Sequence, residues 1–515
     1  MSSILVHIKV SPEDLNNIEL HKKLIQEKSN HDFKSIVLRK RSIDARQRKI
    51  FYQLQYEIFI KKYNEKVYNP NFNDVSKCFH CVHIIGAGPA GLFAALRCIQ
   101  IGIKPIVFER GKNVRERRRD LAAINKNGIV NKESNYCFGE GGAGTYSDGK
   151  LYTRSKKKGN IPEILNLLVH HGAEKDILID SHPHIGTNKL PNLISNIRKT
   201  ILKYGGEINF GSKLTDLKFE NSKLTSITIN NNQSFKIDHL ILATGHSARD
   251  VFKLLYSKNV KIDFKDFAVG VRIEHPQSEI DKLMYNKVNR GEYLPPASYS
   301  LVYNNGERSV YSFCMCPGGI IAPCATEEEE IVTNGWSPSK RNNPYANSGI
   351  VVEVKWSDLK DFHQFGPLAG VEFQKSIEKK AWEIASNGQV LPVQLLDKFL
   401  QKKSKSIFPP SSYFPGFIEA DLSKVFPSFI YNTLKEGFLN FDKKLKGFIS
   451  PNALLHAPET RTSSPVRIPR NKNFHHPDFF SLYPCGEGAG YAGGIMSAAI
   501  DGIRCVDAIS NVIKN

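Results

Sequence analysis

The chain has 515 residues, 41% of them hydrophobic, which is enough for two or three domains with cores of their own. Its formal net charge is +20, but the basic residues are spread along the whole chain, so we expect no nucleic-acid partner. Residues 1–10 are too few and too polar for a secretory signal, and no apolar run is long enough to span a bilayer. A cytoplasmic protein with no membrane span is therefore predicted. The nine irregularly spaced cysteines indicate reduced thiols rather than a disulfide framework.

Residues 1–77 are predicted to form a small basic α+β domain, separate from the rest of the chain and ferredoxin-like in type. The basic segment 39–49 either grips an anion, forms a solvated loop or pairs with acidic groups of the neighbouring domain. The predicted elements are strands at 4–10, 34–39 and 51–59 and a helix at 12–28 with Ser11 as its N-cap.

Residues 82–109 carry the strongest pattern in the chain. A buried strand leads into Gly86, Gly88 and Gly91, spaced G-x-G-x-x-G, and a helix and a second buried strand come next. This order is typical of a dinucleotide-binding turn, in which a pyrophosphate sits at the helix N-terminus. Glu109, at the end of the second strand, can accept hydrogen bonds from both hydroxyls of a ribose and repels a 2′-phosphate, which favours FAD or NAD over NADP. A glycine-rich turn in some other α/β fold is the alternative.

Cys78 and Cys81 form a C-x-x-C pair just before this pattern. No second ligand pair occurs at zinc spacing, so no metal site is predicted.

The stretch 137–151 is dense in glycine and is predicted to be a loop that closely approaches a ligand. Its polar side chains suit a phosphate or a flavin edge, and a flexible surface loop is the alternative. The basic run 115–119 before it is predicted to lie on an exposed helix. The polar groups of the loop are Glu140, Thr145, Ser147, Asp148 and Lys150, and its predicted cofactor contacts are Gly141, Gly142, Thr145 and Asp148.

Residues 187–245 are predicted to return the chain to the nucleotide-binding sheet. A helix at 187–205 and a β-meander at 213–229 precede a buried strand that ends in Ala-Thr-Gly, with Thr244 and Gly245 beside the cofactor. No second G-x-G-x-x-G that is followed by a strand and an acid occurs in the sequence, so a resident NAD(P)H domain is not expected, although NAD(P)H can still enter the cleft transiently.

Residues 255–475 read as a mixed α+β substrate or cap domain inserted into the FAD-binding domain, whose two parts are 78–254 and 476–515. In the second part a strand at 480–485 and a turn at 486–494 lead into a helix at 495–511. Its positive N-terminus would face the flavin pyrimidine ring. The elements predicted for the inserted domain are strands at 267–274, 299–303, 309–314 and 349–354 and helices at 370–385 and 422–438.

With these segments in place, nearly the whole chain resembles the bacterial-type NAD(P)/FAD-dependent oxidoreductases, also called FAD-dependent dehydrogenases, which have an FAD-dependent C-terminal region. The resemblance implies bound FAD and a redox role, and it implies no substrate. Its motifs are Arg41–Arg46 (RSIDAR), Gly86–Gly91 (GAGPAG), Gly139–Leu151 (GEGGAGTYSDGKL), Val271–Pro276 (VRIEHP), Phe313–Gly319 (FCMCPGG), Glu459–Arg467 (ETRTSSPVR) and Tyr483–Ile495 (YPCGEGAGYAGGI).

Carried over by position, the resemblance implies which residues contact FAD. Glu109 and Arg110 would lie at the adenosine ribose, and Gly486 with Glu487 would take the place of the Gly-Asp pair that holds the ribityl chain in related flavoproteins, with one extra methylene. Gly493, Gly494 and Ile495 would lie against the flavin. The pyrophosphate would be held by the turn Gly86, Ala87, Gly88, Pro89, Ala90 and Gly91.

Three side chains are candidates for catalysis. Cys314 and Cys316 could pass electrons through a disulfide near flavin, although a C-x-C bridge is strained, and the alternative is two small buried residues at a strand end. His275 could be an acid–base group or a structural histidine.

Two arginines are candidates for binding an anionic substrate or a flavin phosphate. Arg461 and Arg467 have the guanidinium geometry for this task, and an ion pair with Glu459 is the alternative.

The sequence therefore predicts an α/β protein with a doubly wound, Rossmann-like FAD-binding domain, an inserted substrate domain and a small N-terminal α+β domain. The predicted function is a FAD-dependent oxidoreductase that acts on an unidentified small-molecule substrate. The alternative is a flavin-containing RNA-binding or regulatory protein that uses the basic N-terminal domain. The sequence carries no signature of an oligomeric state.

Overall fold

The computed structural model describes residues 3–47, 49–152, 159–385, 388–402 and 407–514. Arg48 of the predicted basic segment lies outside them. The first elements in chain order are β1 (Ser3–Val10), α1 (Ile18–Ser29), β2 (Ser35–Asp44) and β3 (Phe51–Phe59).

The predicted helix at 12–28 begins later than expected. Ser11 precedes a short 3-10 turn at Pro12–Asp14, and the true cap of α1 is Asn17, whose side chain accepts the N–H of Leu20. The three strands form an antiparallel sheet in the order β1-β3-β2. With three strands and one helix, this unit is smaller than a complete ferredoxin-like fold.

The next segment carries the G-x-G-x-x-G turn and most of a parallel sheet. The predicted strand–turn–helix–strand order is confirmed. The elements are β4 (Cys81–Ile85), α2 (Pro89–Gln100), β5 (Lys104–Glu109), α3 (Val114–Asn127), α4 (Ile161–His170), α5 (Leu190–Lys203), β6 (Glu207–Phe210), β7 (Leu214–Glu220), β8 (Lys223–Ile229), β9 (Gln233–Lys236), β10 (Leu240–Leu242) and α6 (Arg249–Ser257).

The remaining elements build a mixed sheet and then return to the parallel one. They are β11 (Asp263–Phe264), β12 (Phe267–Pro276), α7 (Gln277–Tyr285), β13 (Val302–Asn304), β14 (Ser309–Cys316), β15 (Ile320–Pro323), β16 (Thr333–Trp336), β17 (Tyr345–Val354), α8 (Ala369–Ala385), β18 (Leu391–Leu395), α9 (Leu396–Phe399), β19 (Phe417–Glu419), α10 (Ser428–Lys444), β20 (Leu454–Glu459), β21 (Val466–Arg467), β22 (Leu482–Pro484) and α11 (Ile495–Lys514).

The helix predicted at 422–438 is split. Leu422–Lys424 is a 3-10 turn, and α10 begins only at Ser428, after Pro427. Proline lacks a backbone N–H and clashes inside a helix, so it stands at the boundary rather than within a continuous helix.

The parallel sheet has the order β22-β10-β4-β5-β6, and all four pairings are parallel. Alternate residues of β4 face opposite sides: Val82 and Ile84 pack with α2, α5 and α11, whereas Ile85 packs with the sheet β7-β8-β9 and with α6. A doubly wound fold would have helices on both faces of the sheet. Here α2, α5 and α11 pack on one face, whereas the other face is covered by the three-stranded antiparallel sheet β7-β8-β9 and by α6.

The larger sheet has the order β13-β14-β17-β12-β20-β18-β19. Its core is continuous with that of residues 3–59, because Ile8 and Leu54 belong to the same buried cluster as Val271 and Ile350. The N-terminal strands therefore pack directly against the larger sheet. The β1-β3-β2 sheet is too small to bury its apolar face alone, and it shares the core of the larger sheet.

Among the described residues, no helix combines the length and the apolar character that crossing a membrane requires.

Candidate active site

A cavity of about 390 Å³ opens at the carboxyl ends of the parallel strands. The residues that end or follow β4, β5, β10 and β22 all line it, which is the position where open α/β sheets bind ligands. The volume lies within the range of small-molecule pockets. One wall belongs to the parallel sheet and its glycine-rich turns, and the facing wall comes from the larger sheet.

The turn after β4 has the geometry that a pyrophosphate requires. Gly86 has φ of +102°, and a Cβ built there would lie 2.4 Å from the carbonyl oxygen of Ala243. A Cβ on Gly88, in contrast, would have only the Cα of Gly142 nearby, at 3.9 Å, so this side of the turn is open to the cavity. Gly88 caps α2 without any side-chain hydrogen bond, which leaves the helix N-terminus accessible to an anion.

Glu109 ends β5 and lines the cavity, but its carboxylate is already engaged. Oε2 accepts the N–H of Ala87 at 2.8 Å, and Oε1 accepts those of Gly111 and Gly139, both at 2.9 Å. A carboxylate offers about four acceptor sites, so about one remains for a ligand hydroxyl. Arg110 also lines the cavity, with its guanidinium bonded to Asp250 and Glu133.

A fully buried arginine organises the glycine-rich loop. Arg117 donates to the carbonyl oxygens of Asn135 (2.8 Å), Tyr136 (2.9 Å), Glu140 (2.9 Å) and Gly142 (3.0 Å). The loop so held contributes Gly142, Asp148 and other residues to the cavity. The prediction that the run 115–119 is exposed is therefore wrong for Arg117. Val114, Arg117, Leu121 and Ile124 share the buried stripe of α3, a spacing that the sequence already shows.

The second glycine-rich turn brings another helix N-terminus to the cavity. Gly486, Glu487, Gly493, Gly494 and Ile495 all line it, and a Cβ on Gly493 or Gly494 would meet nothing within 4 Å. Helix α11 begins at Ile495 and crosses α2 where Gly502 would place a Cβ 2.1 Å from the carbonyl oxygen of Ala90. This close crossing directs both helix N-termini into one cavity.

Thr244 and Gly245, at the end of the Ala-Thr-Gly strand, also line the cavity. The next residue, His246, places its Nδ1 3.3 Å from a carboxylate oxygen of Glu487. The ends of β10 and β22 are thus joined at the cavity wall.

The facing wall carries Cys314, Lys150 and Arg461. The Lys150 ammonium donates to the carbonyl oxygen of Met315, and its side chain remains 37% exposed, toward the cavity. A hydrogen bond from the Cys316 thiol, together with the nearby cations of Lys150 and Arg272, outweighs burial and lowers the pKa of Cys314 to about 6. The same hydrogen bond and burial raise the pKa of Cys316.

The predicted substrate arginines have different surroundings. The Arg461 guanidinium lines the cavity, but it bonds to Glu378, Glu330 and Thr326. Arg467 is exposed and does not line the cavity. Glu459, the expected partner of both, instead pairs with the buried Arg272 at 2.8 Å.

Several predicted site residues do not line the cavity. His275 is buried, with Nε2 2.9 Å from the carbonyl oxygen of Phe448, and burial lowers its pKa. The Thr145 hydroxyl donates to the carbonyl oxygen of Glu140. The predicted residues outside the lining are Ala87, Gly91, Gly141, Thr145, His275, Cys316 and Arg467.

Three arginines of the basic N-terminal segment pair with acids. Arg41 reaches across to Asp180 (2.7 Å) and Asp176 (2.8 Å), while Arg46 pairs with Asp44. Arg39 pairs likewise with glutamates. The segment was expected to grip an anion, to form a solvated loop or to pair with acidic groups of the neighbouring domain. For these arginines the structure contains ion pairs, and the partners of Arg41, Asp176 and Asp180, lie beyond residue 77.

A group of potential metal ligands lies beside the second turn. Atoms of Cys485, Asp501 and Cys505 lie within 4.8 Å of one another. Both oxygens of Asp501, however, bind Arg470, at 2.6 and 2.9 Å, and one also accepts the N–H of Gly486. The adjacent guanidinium charge opposes a cation there.

Comparison with known proteins adds two family-model matches. Residues 266–462 match the model described as FAD-dependent protein, C-terminal domain-like, and residues 1–59 match a domain of unknown function, DUF8436. An uncharacterised protein of Clostridium beijerinckii is 40% identical over 523 residues, which cover 96% of each chain. The chain belongs to the same family as this protein. The match over residues 266–462 supports FAD as its cofactor.

Solved structures show weaker likenesses. The flavin-dependent brominase Bmp2 is 13% identical with a TM-score of 0.36, covering 84% of this chain and 79% of that chain. A geranylgeranyl bacteriochlorophyll reductase-like protein from Thermoplasma acidophilum is 12% identical with the same TM-score and coverage. At these TM-scores the likenesses carry no argument about activity.

Proposed function

We propose that the chain is a FAD-dependent oxidoreductase that acts on a small-molecule substrate bound over the flavin. The observation that carries this proposal is the meeting of two glycine turns and two helix N-termini, at Gly88 and Ile495, in one cavity opposite Cys314 and Lys150. The family-model match over residues 266–462 supports the same cofactor.

The donor groups of the cavity fit FAD. The open N-terminus of α2 at Gly88 would hold the pyrophosphate, and the remaining acceptor site of Glu109 would take one ribose hydroxyl rather than two. Gly486 and Glu487 would lie along the ribityl chain, and the bare backbone at Gly493 and Gly494 would admit the flat ring system. FAD supplies hydride transfer when bound, and the protein supplies orientation and charge.

The facing wall would bind the substrate. Lys150 presents a cation held beside Asp148 and Met315, so it would orient an anionic or carbonyl oxygen and hold a proton at Nζ. Burial would hold Lys150 neutral, but Asp148 and the two cysteines outweigh this effect and raise its pKa. His275 takes no part in the proposal, since it lies outside the cavity lining.

The nucleic-acid alternative lacks a supporting observation. Arg39, Arg41 and Arg46 all have carboxylate partners within the chain, so these three guanidiniums are already engaged and would have to give up a partner to bind a phosphate backbone.

The test is anaerobic stopped-flow absorbance of the FAD-loaded protein at the flavin band. It is mixed in turn with NADH, with NADPH and with fractions of a small-molecule extract. Bleaching by a nicotinamide indicates a transient NAD(P)H donor, and bleaching only by an extract fraction indicates that the substrate donates the electrons. A bound flavin that none of these reduces contradicts the oxidoreductase assignment.

A further inference from the structure

Two thiols meet at the wall of the cavity that faces the glycine turns. Cys314 and Cys316 lie at the end of β14, where the pairing with β17 is interrupted between Phe313 and Cys316. Cys314 is half-buried and lines the cavity, whereas Cys316 is fully buried. The site therefore has one thiol that a ligand can reach and one thiol protected behind it.

The backbone at this point departs from a regular strand. Residues two apart on a strand share a face, with Cα atoms about 6.6 Å apart, close to the upper limit of about 6.8 Å for a disulfide. Cys314 has φ of +46°, and the bulge breaks the extended spacing. The Cys316 thiol donates to the carbonyl oxygen of Cys314 at 3.2 Å, so its side chain is folded back towards that residue.

The charges around the pair favour a thiolate. Lys150 donates to the carbonyl oxygen of Met315, between the two cysteines, and Arg272 donates to that of Cys314 at 3.4 Å. Asp148 is the acidic group that faces them, and its charge is met by Arg341 at 2.6 Å. Lys150 and Arg272 therefore stand beside the thiols, with Arg272 itself paired with Glu459 at 2.8 Å and the facing Asp148 paired with Arg341.

We propose that Cys314 and Cys316 form a dithiol site that reduces a disulfide substrate in this cavity. The proposal rests on the proposed function, because it assigns a substrate class to the same cavity. The observation that favours a disulfide over a simple electrophile is the second thiol, since an attack that stops at a single adduct needs only Cys314.

The reaction balances in two displacements. The Cys314 thiolate attacks one sulfur of RS–SR′, the S–S bond breaks, and R′S⁻ leaves beside the Lys150 ammonium. Cys316 then loses its proton and attacks the Cys314 sulfur, which releases RS⁻ and closes the Cys314–Cys316 disulfide. The Cys316 proton ends on one leaving thiolate, and the other takes up a proton from water in place of the one that Cys314 released when its thiolate formed. The substrate gains two electrons, and reduced flavin is the reductant that would restore the dithiol.

The test uses the full-length protein, with oxidised glutathione and an aromatic disulfide, 5,5′-dithiobis(2-nitrobenzoate), as probes. In the wild type, we expect the rapid release of two probe thiols for each Cys314–Cys316 pair. Mass spectrometry should then show an internal disulfide in the peptide that contains residues 314–316. Cys316→Ser should stop at a mixed disulfide on Cys314, with one probe thiol released. Cys314→Ser should slow the fast phase about ten-fold or more.

Cys78→Ser is the matched control. Cys78 is half-buried and does not line the cavity, so its substitution should leave the fast phase unchanged. A second readout needs no variant: alkylation of Cys314 by iodoacetamide should follow a pH midpoint near that of its lowered pKa, about 6, rather than near 8.5.

Three results would overturn the proposal: Cys314 reacting no faster than Cys78, a Cys316→Ser protein that retains no probe, or labelling by iodoacetamide but by neither disulfide. Flavin content is recorded separately in every sample. Inert thiols in a FAD-loaded protein reject the dithiol site alone. Reactive thiols in a protein that binds no FAD reject the proposed function alone.

Discussion

Arg117 acts on the cavity without touching it. Its guanidinium is fully buried and bonds four backbone carbonyl oxygens of residues 135–142, so it fixes the path of a loop whose glycines have little stiffness of their own. Burial lowers the pKa of Arg117, but guanidinium remains charged at any physiological pH. At the residue scale, this is a positioning group for the cofactor loop.

Replacing Arg117 by methionine should destabilise the fold and loosen the cavity. The four carbonyl oxygens would lose a buried donor, at a cost on the order of 3 kcal/mol in the free energy of unfolding. We expect FAD to dissociate faster as well. Urea denaturation and the rate of flavin release measure the two effects. Arg119→Met, at an exposed position of the same helix, is the control and should change neither. Equal effects of the two substitutions would contradict this role.

Gly88 and Gly91 should separate cofactor binding from folding. A Cβ on Gly88 meets only an ordinary contact at 3.9 Å, so Gly88→Ala should leave the FAD-free protein as stable as wild type and weaken FAD about ten-fold or more. A Cβ on Gly91 would lie 1.9 Å from the carbonyl oxygen of Gly86, so Gly91→Ala should cost about 1–3 kcal/mol of stability. Thermal unfolding of the FAD-free proteins and FAD titration check both. A Gly88→Ala protein with wild-type FAD affinity contradicts the assignment of the turn.

At the scale of elements, an ionic cluster joins α6 to α8. The carboxylate of Glu378 on α8 forms ion pairs with two guanidiniums. Its oxygens lie 2.7 Å from a nitrogen of Arg249 on α6 and 2.9 Å from a nitrogen of Arg461. Burial alone would raise the pKa of Glu378, but the two guanidiniums outweigh it and lower the pKa to about 2. Burial and the neighbouring Glu378 raise the pKa of Glu330, the second carboxylate of the cluster. The cluster holds Arg461 at the cavity wall.

Glu378→Gln should reduce stability by about 3 kcal/mol at pH 7, because it leaves two buried guanidiniums short of charge. The folded pKa of Glu378 is below the unfolded value of about 4.3, so its contribution is present above that value and is lost as the pH falls through about 2. The difference in the free energy of unfolding between wild type and variant, measured by chemical denaturation, should therefore shrink as the pH falls from about 4.3 to about 2. Glu372→Gln on the same helix breaks only the pair with the half-exposed Lys253 and should cost less than about 1 kcal/mol. A gap independent of pH would refute the explanation.

Elements with a local signal were predictable from the sequence, and those set by tertiary contacts were not. The strand–turn–helix–strand of residues 82–109 follows from residue order alone, as does α11. The bulge in β14, which turns Cys314 toward the cavity, depends on its pairing with β17 and has no local signature. Likewise, the carboxylate of Glu109 accepts three backbone N–H groups, and one of them, that of Gly139, lies thirty residues further along the chain.

At the scale of the whole molecule, the N-terminal sheet and the larger sheet share one core. Leu54 on β3 is 1% exposed and belongs to the same cluster as Val271, and the Tyr52 hydroxyl donates to the carbonyl oxygen of Tyr293 at 2.7 Å. The sequence suggested a separate domain because residues 1–77 precede the dinucleotide-binding strand. The shared burial depends on side chains that are distant in sequence.

Leu54→Ala should therefore weaken both units together. The lost contacts should cost about 2–4 kcal/mol. All three tryptophans lie outside residues 1–77, and Trp382 on α8 packs against the shared core, so tryptophan fluorescence reports on the part of the chain beyond the N-terminal sheet. In Leu54→Ala we expect the urea midpoint measured by tryptophan fluorescence to fall by the same amount as the midpoint measured by circular dichroism. A fluorescence midpoint unchanged from wild type would show that the N-terminal sheet unfolds on its own. Leu5→Ala, on the exposed face of β1, is the control and should shift neither midpoint.

The assembled cavity also belongs to this scale, since its walls come from segments that begin near residues 85, 108, 137, 212, 243, 313, 334, 461 and 486. The sequence predicted most of the parallel-sheet wall, because glycine spacing is a local signal. On the facing wall the sequence singled out Cys314, Lys150 and Arg461 and named 334–336 as a stretch that could line the substrate cavity, whereas the side chain of Phe313 has no local signal that indicates a ligand.

The central claim is that this cavity holds FAD, and flavin content per chain tests it most directly. The protein is purified, incubated with FAD, freed of excess and denatured, and the released flavin is measured by absorbance against protein concentration. The account predicts one FAD per wild-type chain and a markedly lower value for Gly88→Ala. A folded wild-type chain that stays colourless after incubation with excess FAD would contradict the account.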